Sequence, residues 1–403
     1  MHCDPRFSRV REVFERQLAD GAELGAAFAV HLDGELVVDL WGGVADRHTG
    51  RLWEHDTPAF AYSCTKAITA TVLLQLAERG LVDVPGAVAD VWPEFAARGK
   101  GAITVEHLLT HQSGLPVVEE PVPVEEFGDL AAIAARLAGQ APLWEPGLAH
   151  GYHALSYGFL VGEVIRRVTG KSVGELVSAE IAEPLGLELW VGAPDSVIAR
   201  TARLKAGERP QTATPEGQAK RAPDPGSPMN AETAKGAPDP GSLMTAEIAK
   251  AALDPHSLMN RALGNPGMHR LKGGANHPVI LRAGWPAAGV VTTARGLAGF
   301  YRSLIAGDLL RPETLRDAVR PRVHGPDRVL FLDTSFGLGY MRPSMTFPMP
   351  SGTAFGHSGL GGSLGMGDPE RGLGIGYVMN KMADAVSGNV RGLRLVQAVY
   401  DSL

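Results

Sequence analysis

The sequence predicts a mixed α/β protein in which one antiparallel sheet is built from both ends of the chain, flanked by helices, with a mostly helical part inserted between. Three observations predict it. Residues 26–32 and 35–41 are β-rich runs around Asp33-Gly34, a strong hairpin signal. The middle of the chain carries helical periodicity. Residues 364–367 and 373–380 read as two further strands around the turn at 368–372. The expected division is a sheet domain of residues 1–70 plus 285–403 and a helical domain of residues 71–284.

Taken in order, residues 7–18 read as an amphipathic helix with Phe7, Val10, Val13, Phe14 and Leu18 on one side. The hairpin follows, then an apolar helical run from Thr65 to Gly80. A helix begins after Thr104 and ends at residues 111–116, and residues 130–139 and 157–169 are also helical. Residues 336–341 and 354–356 read as short strands, and residues 390–403 as a closing helix.

Bulk properties narrow the function. At 403 residues, two or so domains are expected. A hydrophobic content of 44% with 20% charged residues is that of a soluble globular protein. The net charge is −6 with no basic stripe, so nucleic acid is not an expected partner. The two cysteines, Cys3 and Cys64, do not make a disulfide framework and are compatible with a reducing compartment. The first residues lack the apolar stretch of a signal peptide, and no run approaches a membrane span. The expectation is a cytoplasmic protein without a membrane partner; the sequence does not give its oligomeric state.

Residues 219–263 contain three copies of a 15-residue unit, starting at Ala219, Ala234 and Ala249. Each continues to Ser-x-Met, at Ser227/Met229, Ser242/Met244 and Ser257/Met259. One reading is a lid or binding loop. The other is a duplication tolerated in a surface loop, which loop-closure entropy penalises weakly. The second reading suits the first two copies, which carry extra Pro and Gly; the more apolar third copy can pack as a helix.

The chemistry centres on Ser63-Cys64-Thr65-Lys66 at the start of the apolar run. Residues three apart share a helix face, so the Lys66 amine can reach the Ser63 hydroxyl. A serine hydroxyl needs a neighbouring base to become a nucleophile. The positive field of a helix N-terminus disfavours an ammonium and favours an anion developing near Ser63. Two more elements follow downstream: Trp144-Glu145-Pro146-Gly147 with Tyr152-His153-Ala154, and Phe355-Gly356-His357-Ser358-Gly359-Leu360.

These three elements, in this order, resemble the signatures of the serine β-lactamase and penicillin-binding-protein superfamily. The likeness is nearest to class C β-lactamases and the related family VIII carboxylesterases, and it covers nearly the whole chain. The resemblance implies a β-lactamase/transpeptidase-like fold. It implies Ser63 as the acylated nucleophile, Lys66 as its activating amine and Tyr152 as the general base and acid. A phenol near an ammonium is expected to have a lowered pKa, and the pair to titrate together. The backbone N–H groups of Ser63 and Leu360 would form the oxyanion hole. His357, Ser358 and Gly359 would line the substrate site.

Two departures matter. The usual Tyr-x-Asn is Tyr152-His153-Ala154, so the amide is missing, and the usual Lys-Thr-Gly is His357-Ser358-Gly359. A histidine is largely neutral near pH 7. Weak selection for an anionic substrate, and weak or absent β-lactam turnover, follow from that. His111, at a helix end, is expected to cap a carbonyl, and His153 to flank the site. The sequence Gly361-Gly362-Ser363-Leu364-Gly365 also matches the elbow of α/β-hydrolases, but no histidine follows His357 to complete a triad in that chain order.

No His, Cys, Asp and Glu cluster has metal spacing, so no metal and no cofactor are expected. The leading reading is a serine hydrolase cleaving small-molecule esters of short to medium acyl chains. A transacylase using the same acyl-enzyme, a weak β-lactamase or D-peptidase, and an inactive binding protein are the alternatives.

Overall fold

The computed structural model describes residues 1–206, 250–251, 253–383 and 389–403. Its strands are β1 (His2–Cys3), β2 (Gly25–Leu32), β3 (Glu35–Asp46), β4 (Arg51–Leu52), β5 (Ala59–Phe60), β6 (Leu189–Val191), β7 (Val290–Thr292), β8 (Val323–Pro326), β9 (Asp333–Phe336), β10 (Phe355–Ser358), β11 (Leu364–Asp368) and β12 (Leu373–Met379). The helices that frame the site are α1 (Ser8–Ala19), α2 (Thr65–Glu78), α3 (Val105–Leu109), α4 (Leu130–Gly139), α5 (Ser156–Thr169), α6 (Leu258–Gly264), α7 (Ala294–Ala306) and α8 (Val390–Tyr400).

The main sheet is antiparallel, in the order β1-β3-β2-β12-β11-β10, with β4 added to β3. Its central pairing joins the two ends of the chain: β12 lies along β2, with Tyr377 opposite Phe28 and Gly376 opposite Ala29. The β2–β3 hairpin turns on Asp33 and Gly34, at φ of 50° and 89°. Those positive values are what a two-residue turn of this hand demands. One face of β2 carries Ala27 and Ala29 into the core shared with α2, α5 and α7. The other face carries Ala26, Phe28 and Val30 into a second core closed by α1 and α8. Because both faces are covered, the central strands are apolar throughout rather than alternating.

Helix α7 crosses the sheet at close range. A Cβ added at Gly376 would stand 2.2 Å from the Ala294 carbonyl oxygen, and one at Gly374 would stand 2.7 Å from the Arg302 nitrogen. Small residues at these positions let the helix backbone rest on the strand.

Several expected elements shift. The strand anticipated over 336–341 ends at Phe336, because Gly339, at φ 81°, folds the chain back and leaves single bridges at Met341. The strand expected at 354–356 runs instead from Phe355 to Ser358 and so carries His357 and Ser358 itself. Strands β5, β6 and β7 form a small separate sheet that the sequence did not announce. The first two copies of the repeat lie outside the described residues. The third copy forms the start of α6, with Ser257 as its N-cap.

Gly376→Val would force the Ala294 carbonyl away from the sheet. Overpacking of this kind costs about 1–3 kcal/mol or more. The expected outcome is a lower urea midpoint with an unchanged denaturant slope, measured by circular dichroism.

Candidate active site

Ser63 does not sit in the first turn of α2 but in a 3-10 turn, Tyr62–Cys64, that runs into it. The residue before it, Tyr62, has φ 44°. A non-glycine residue in that region is strained and must be held by its surroundings. The hold is visible. Thr65 Oγ1–H donates to the Tyr62 carbonyl at 2.5 Å and accepts the Val290 N–H at 2.9 Å, while the Ala61 N–H donates to the Val290 carbonyl at 2.9 Å. Strand β7 thus fixes the Ser63 turn from the side.

Lys66 is fully buried. Its Nζ lies 3.2 Å from Ser63 Oγ, 2.7 Å from the Ala154 carbonyl oxygen and 3.1 Å from the Ala287 carbonyl oxygen. Among the described residues no carboxylate pairs with it. Burial therefore drives its pKa well below the ordinary lysine value. Its Nζ donates to both carbonyls and to Ser63 Oγ, which holds the amine against the serine hydroxyl.

Tyr152 is buried beside this pair, with Lys66 Nζ 4.7 Å from its ring centroid. The expectation of a lowered tyrosine pKa is overturned. Burial pushes the phenol up, and the neighbouring Ser63 hydroxyl only partly opposes it. The physical reason is desolvation, which disfavours a phenolate at this depth, with the nearby Asp327 carboxylate adding to it. The Tyr152 backbone is held from the C-terminal half of the chain. Its N–H donates to Asp327 Oδ1 at 3.0 Å, and the same oxygen accepts the N–H groups of Val329 and Leu330.

His357 is buried, with its ring 6.1 Å from that of Tyr152. Its Nδ1 is 2.8 Å from the Ser358 carbonyl oxygen, and among the described residues its Nε2 has no partner. Burial, reinforced by Lys66, lowers its pKa to about 3. Ser358 and Gly359 sit differently from each other. Ser358 faces a cavity of about 430 Å³ that Ser63 does not line. Gly359 serves packing, since a Cβ there would meet the Ala61 carbonyl oxygen at 2.4 Å.

The cavity at the nucleophile is about 200 Å³, and Ser63, Leu360, Ala154, Leu155 and Ala288 are among its lining residues. Among the described residues neither the Ser63 N–H nor the Leu360 N–H has an acceptor. Two free N–H donors on one cavity are the chemical requirement for binding an oxyanion.

The other histidines are scaffold. His111, at φ 62°, does not use its ring to cap a helix carbonyl as expected; its Nδ1 accepts the His153 N–H at 3.1 Å. The ring is enclosed by Phe336, Tyr152, Tyr157 and His153, and this aromatic burial decides its position. His153 binds Ser113 Oγ and accepts the Leu115 N–H at Nε2, and its Nδ1 reaches the Gly151 carbonyl. Ser363 is fully buried. The described residues contain no cluster able to hold a metal and no helix long and apolar enough to cross a membrane.

Sequence reasoning missed the carbonyls of Ala154 and Ala287, the Asp327 anchor and the enclosing ring of Tyr157. Backbone carbonyls leave no mark in residue types, and Asp327 stands in no motif.

A Ser-Lys pair between a helical layer and an antiparallel sheet built from both ends of the chain is the arrangement of a protein of the β-lactamase and penicillin-binding type. The Beta-lactamase family profile matches residues 10–400, and the chain belongs to that family. The Esterase/beta-lactamase LipL of Mycobacterium tuberculosis is 34% identical over 391 residues, covering 94% of this chain and 82% of LipL. A penicillin-binding protein homologue from Caulobacter crescentus has a crystal structure with a TM-score of 0.82 at 39% identity, covering 100% of this chain and 99% of that one. A family VIII carboxylesterase structure matches with a TM-score of 0.82 at 34% identity, over 100% of this chain and 99% of the other.

The buried imidazoles make stability depend on pH. His153 and His357 each fall to about 3 from the ordinary 6.5, chiefly through burial. Between those values the unfolded chain binds a proton that the folded chain refuses. Their contribution is fully present above pH 6.5 and is lost as pH falls toward 3. At pH 5 the loss is roughly 2 kcal/mol for each imidazole. The buried Glu23 carboxyl, raised to about 7, opposes part of this loss over the same range; urea titrations should still give a lower unfolding free energy at pH 5 than at pH 7, and an equal or higher value at pH 5 would contradict the assignment.

Proposed function

We propose that this protein is a serine carboxylesterase acting on small uncharged esters through an acyl-enzyme on Ser63. The observation that carries the reading is the placement of the fully buried Lys66 amine, whose Nζ lies 3.2 Å from Ser63 Oγ and is anchored on the Ala154 and Ala287 carbonyls.

Lys66 accepts the Ser63 proton as Oγ attacks the ester carbonyl carbon. The carbonyl oxygen becomes an oxyanion between the N–H groups of Ser63 and Leu360. One such donor is worth about 3–4 kcal/mol in the transition state. The C–O bond to the alcohol then breaks. The proton passes from Lys66 by way of the protonated Tyr152 phenol to the departing alkoxide. Water enters, gives its proton along the same route, and the carboxylic acid leaves as Ser63 regains its hydrogen.

The choice of an uncharged ester rests on His357. A histidine with a pKa of about 3 offers no positive charge to a substrate carboxylate at any ordinary pH. Ala154 offers no side-chain amide either. A cytoplasmic setting accords with the unpaired Cys3 and Cys64.

The test is hydrolysis of p-nitrophenyl butyrate by wild type, Ser63→Ala and Lys66→Met, with nitrocefin alongside. Ser63→Ala should lose at least about 10⁴-fold in kcat, and Lys66→Met about 10²–10⁴-fold. Nitrocefin turnover should be weak in all three. Ester hydrolysis surviving in Ser63→Ala would sink the nucleophile assignment. Added alcohol diverting the acyl group from water would move the reading to a transacylase.

A further inference from the structure

The cavity at Ser63 has a wall that the mechanism does not use. Leu263 of α6 lines it, together with Met268 and His269 from the following turn. Leu263 is the last residue of the third 15-residue unit. We propose that α6, which ends the third unit, and the turn after it form the outer wall of the acyl pocket, with Leu263 and Met268 setting the limit on acyl-chain length. The proposal rests on the esterase reading given above.

The cavity belongs to the acyl side for a geometric reason. The departing alcohol must lie against its proton donor, Tyr152. Tyr152 is absent from the lining, whereas Ser63 and Leu360, which hold the acyl carbon and its oxygen, are present. The apolar lining of Leu155, Ala288, Leu263 and Met268 offers a hydrocarbon chain no charged partner. An apolar cavity of about 150 Å³ accommodates benzene, so one of about 200 Å³ takes roughly six to eight carbons.

The wall is built rather than draped. Ser257 caps α6 by accepting the Asn260 N–H at 3.2 Å, and its Oγ–H donates to the Ala251 carbonyl at 2.7 Å. Met259 and Ala262 are buried beneath the helix. Asn265, just past it, clasps the opposite loop. Its amide donates to the Val118 and Glu120 carbonyls at 2.6 and 2.8 Å, and its oxygen accepts the Val122 N–H at 3.1 Å.

The sequence also says why the third unit holds this place. The position of buried Ala262 is Glu232 in the first copy and Glu247 in the second. A glutamate cannot replace a buried alanine there without a partner for its charge. Leu263 itself corresponds to Thr233 and Ile248. Copy three alone pairs a small buried residue with a leucine aimed at the site.

The experiment measures kcat/KM for p-nitrophenyl esters from acetate to decanoate, expressed as the ratio of octanoate to acetate. The ratio cancels any general loss of folded enzyme. One methylene in an apolar pocket is worth about 10–200-fold. Leu263→Ala should raise the ratio at least about tenfold, and Leu263→Trp should lower it at least about tenfold. Leu253→Ala, in the same unit but 82% exposed, should leave it unchanged. Ratios within twofold of wild type in both Leu263 variants, with wild type active on esters, would overturn the wall and spare the esterase reading. A wild type inert on every ester would overturn both.

Discussion

The burial of one lysine amine organises this molecule. An ammonium taken out of water without a counter-ion costs several kcal/mol. Burial accordingly holds the Lys66 pKa well below its ordinary value. The Ala154 and Ala287 carbonyls that receive its N–H groups arrive from two distant stretches of chain. The first is set by the Tyr152 segment, whose N–H is anchored on Asp327. The second belongs to a loop fixed by Thr69 Oγ1–H, which donates to the Pro286 carbonyl at 2.6 Å. Helix α5 must also come close: a Cβ on Gly158 would stand 2.3 Å from the Ala287 nitrogen. The loop before α5 and the loop before β7 therefore act together, each supplying one of the two carbonyls that hold the amine in place.

The same burial extends through the surrounding residues. His111, His153 and His357 are all pushed toward the neutral form, chiefly by burial, and a positive charge on Lys66 adds to the effect on each. A proton placed on any of these groups would therefore make the others harder to protonate.

Much of this was legible in the sequence where side-chain types carry the message. The Ser63–Lys66 spacing brings the two side chains within 3.2 Å, and Tyr152 lies beside them, while Ser358 faces a different cavity. The Asp33-Gly34 turn and the two C-terminal strands named the sheet. What escaped is contributed by backbone or by burial. The carbonyls of Ala154 and Ala287 belong to alanines, which advertise nothing. The pKa of Tyr152 could not be read from its neighbour's type, because the direction of its shift is set chiefly by packing depth. Gly339 looked like part of a strand and is a reversal, because its positive φ is invisible in a run of apolar residues. The unannounced strands β5–β7 are two or three residues long, too short for any period to show.

The pairing of β12 with β2 has a bearing on how the protein comes into being. Ser63 and Lys66 are made early in synthesis, while Leu360 and the strand that pairs with β2 come late. Until β12 emerges, β2 presents an unpaired edge of N–H and C=O groups beside an apolar surface, a hazard for misassociation. In the same interval the cavity at Ser63 lacks the wall that Leu360 supplies. The cavity and the central pairing of the sheet are thus completed together.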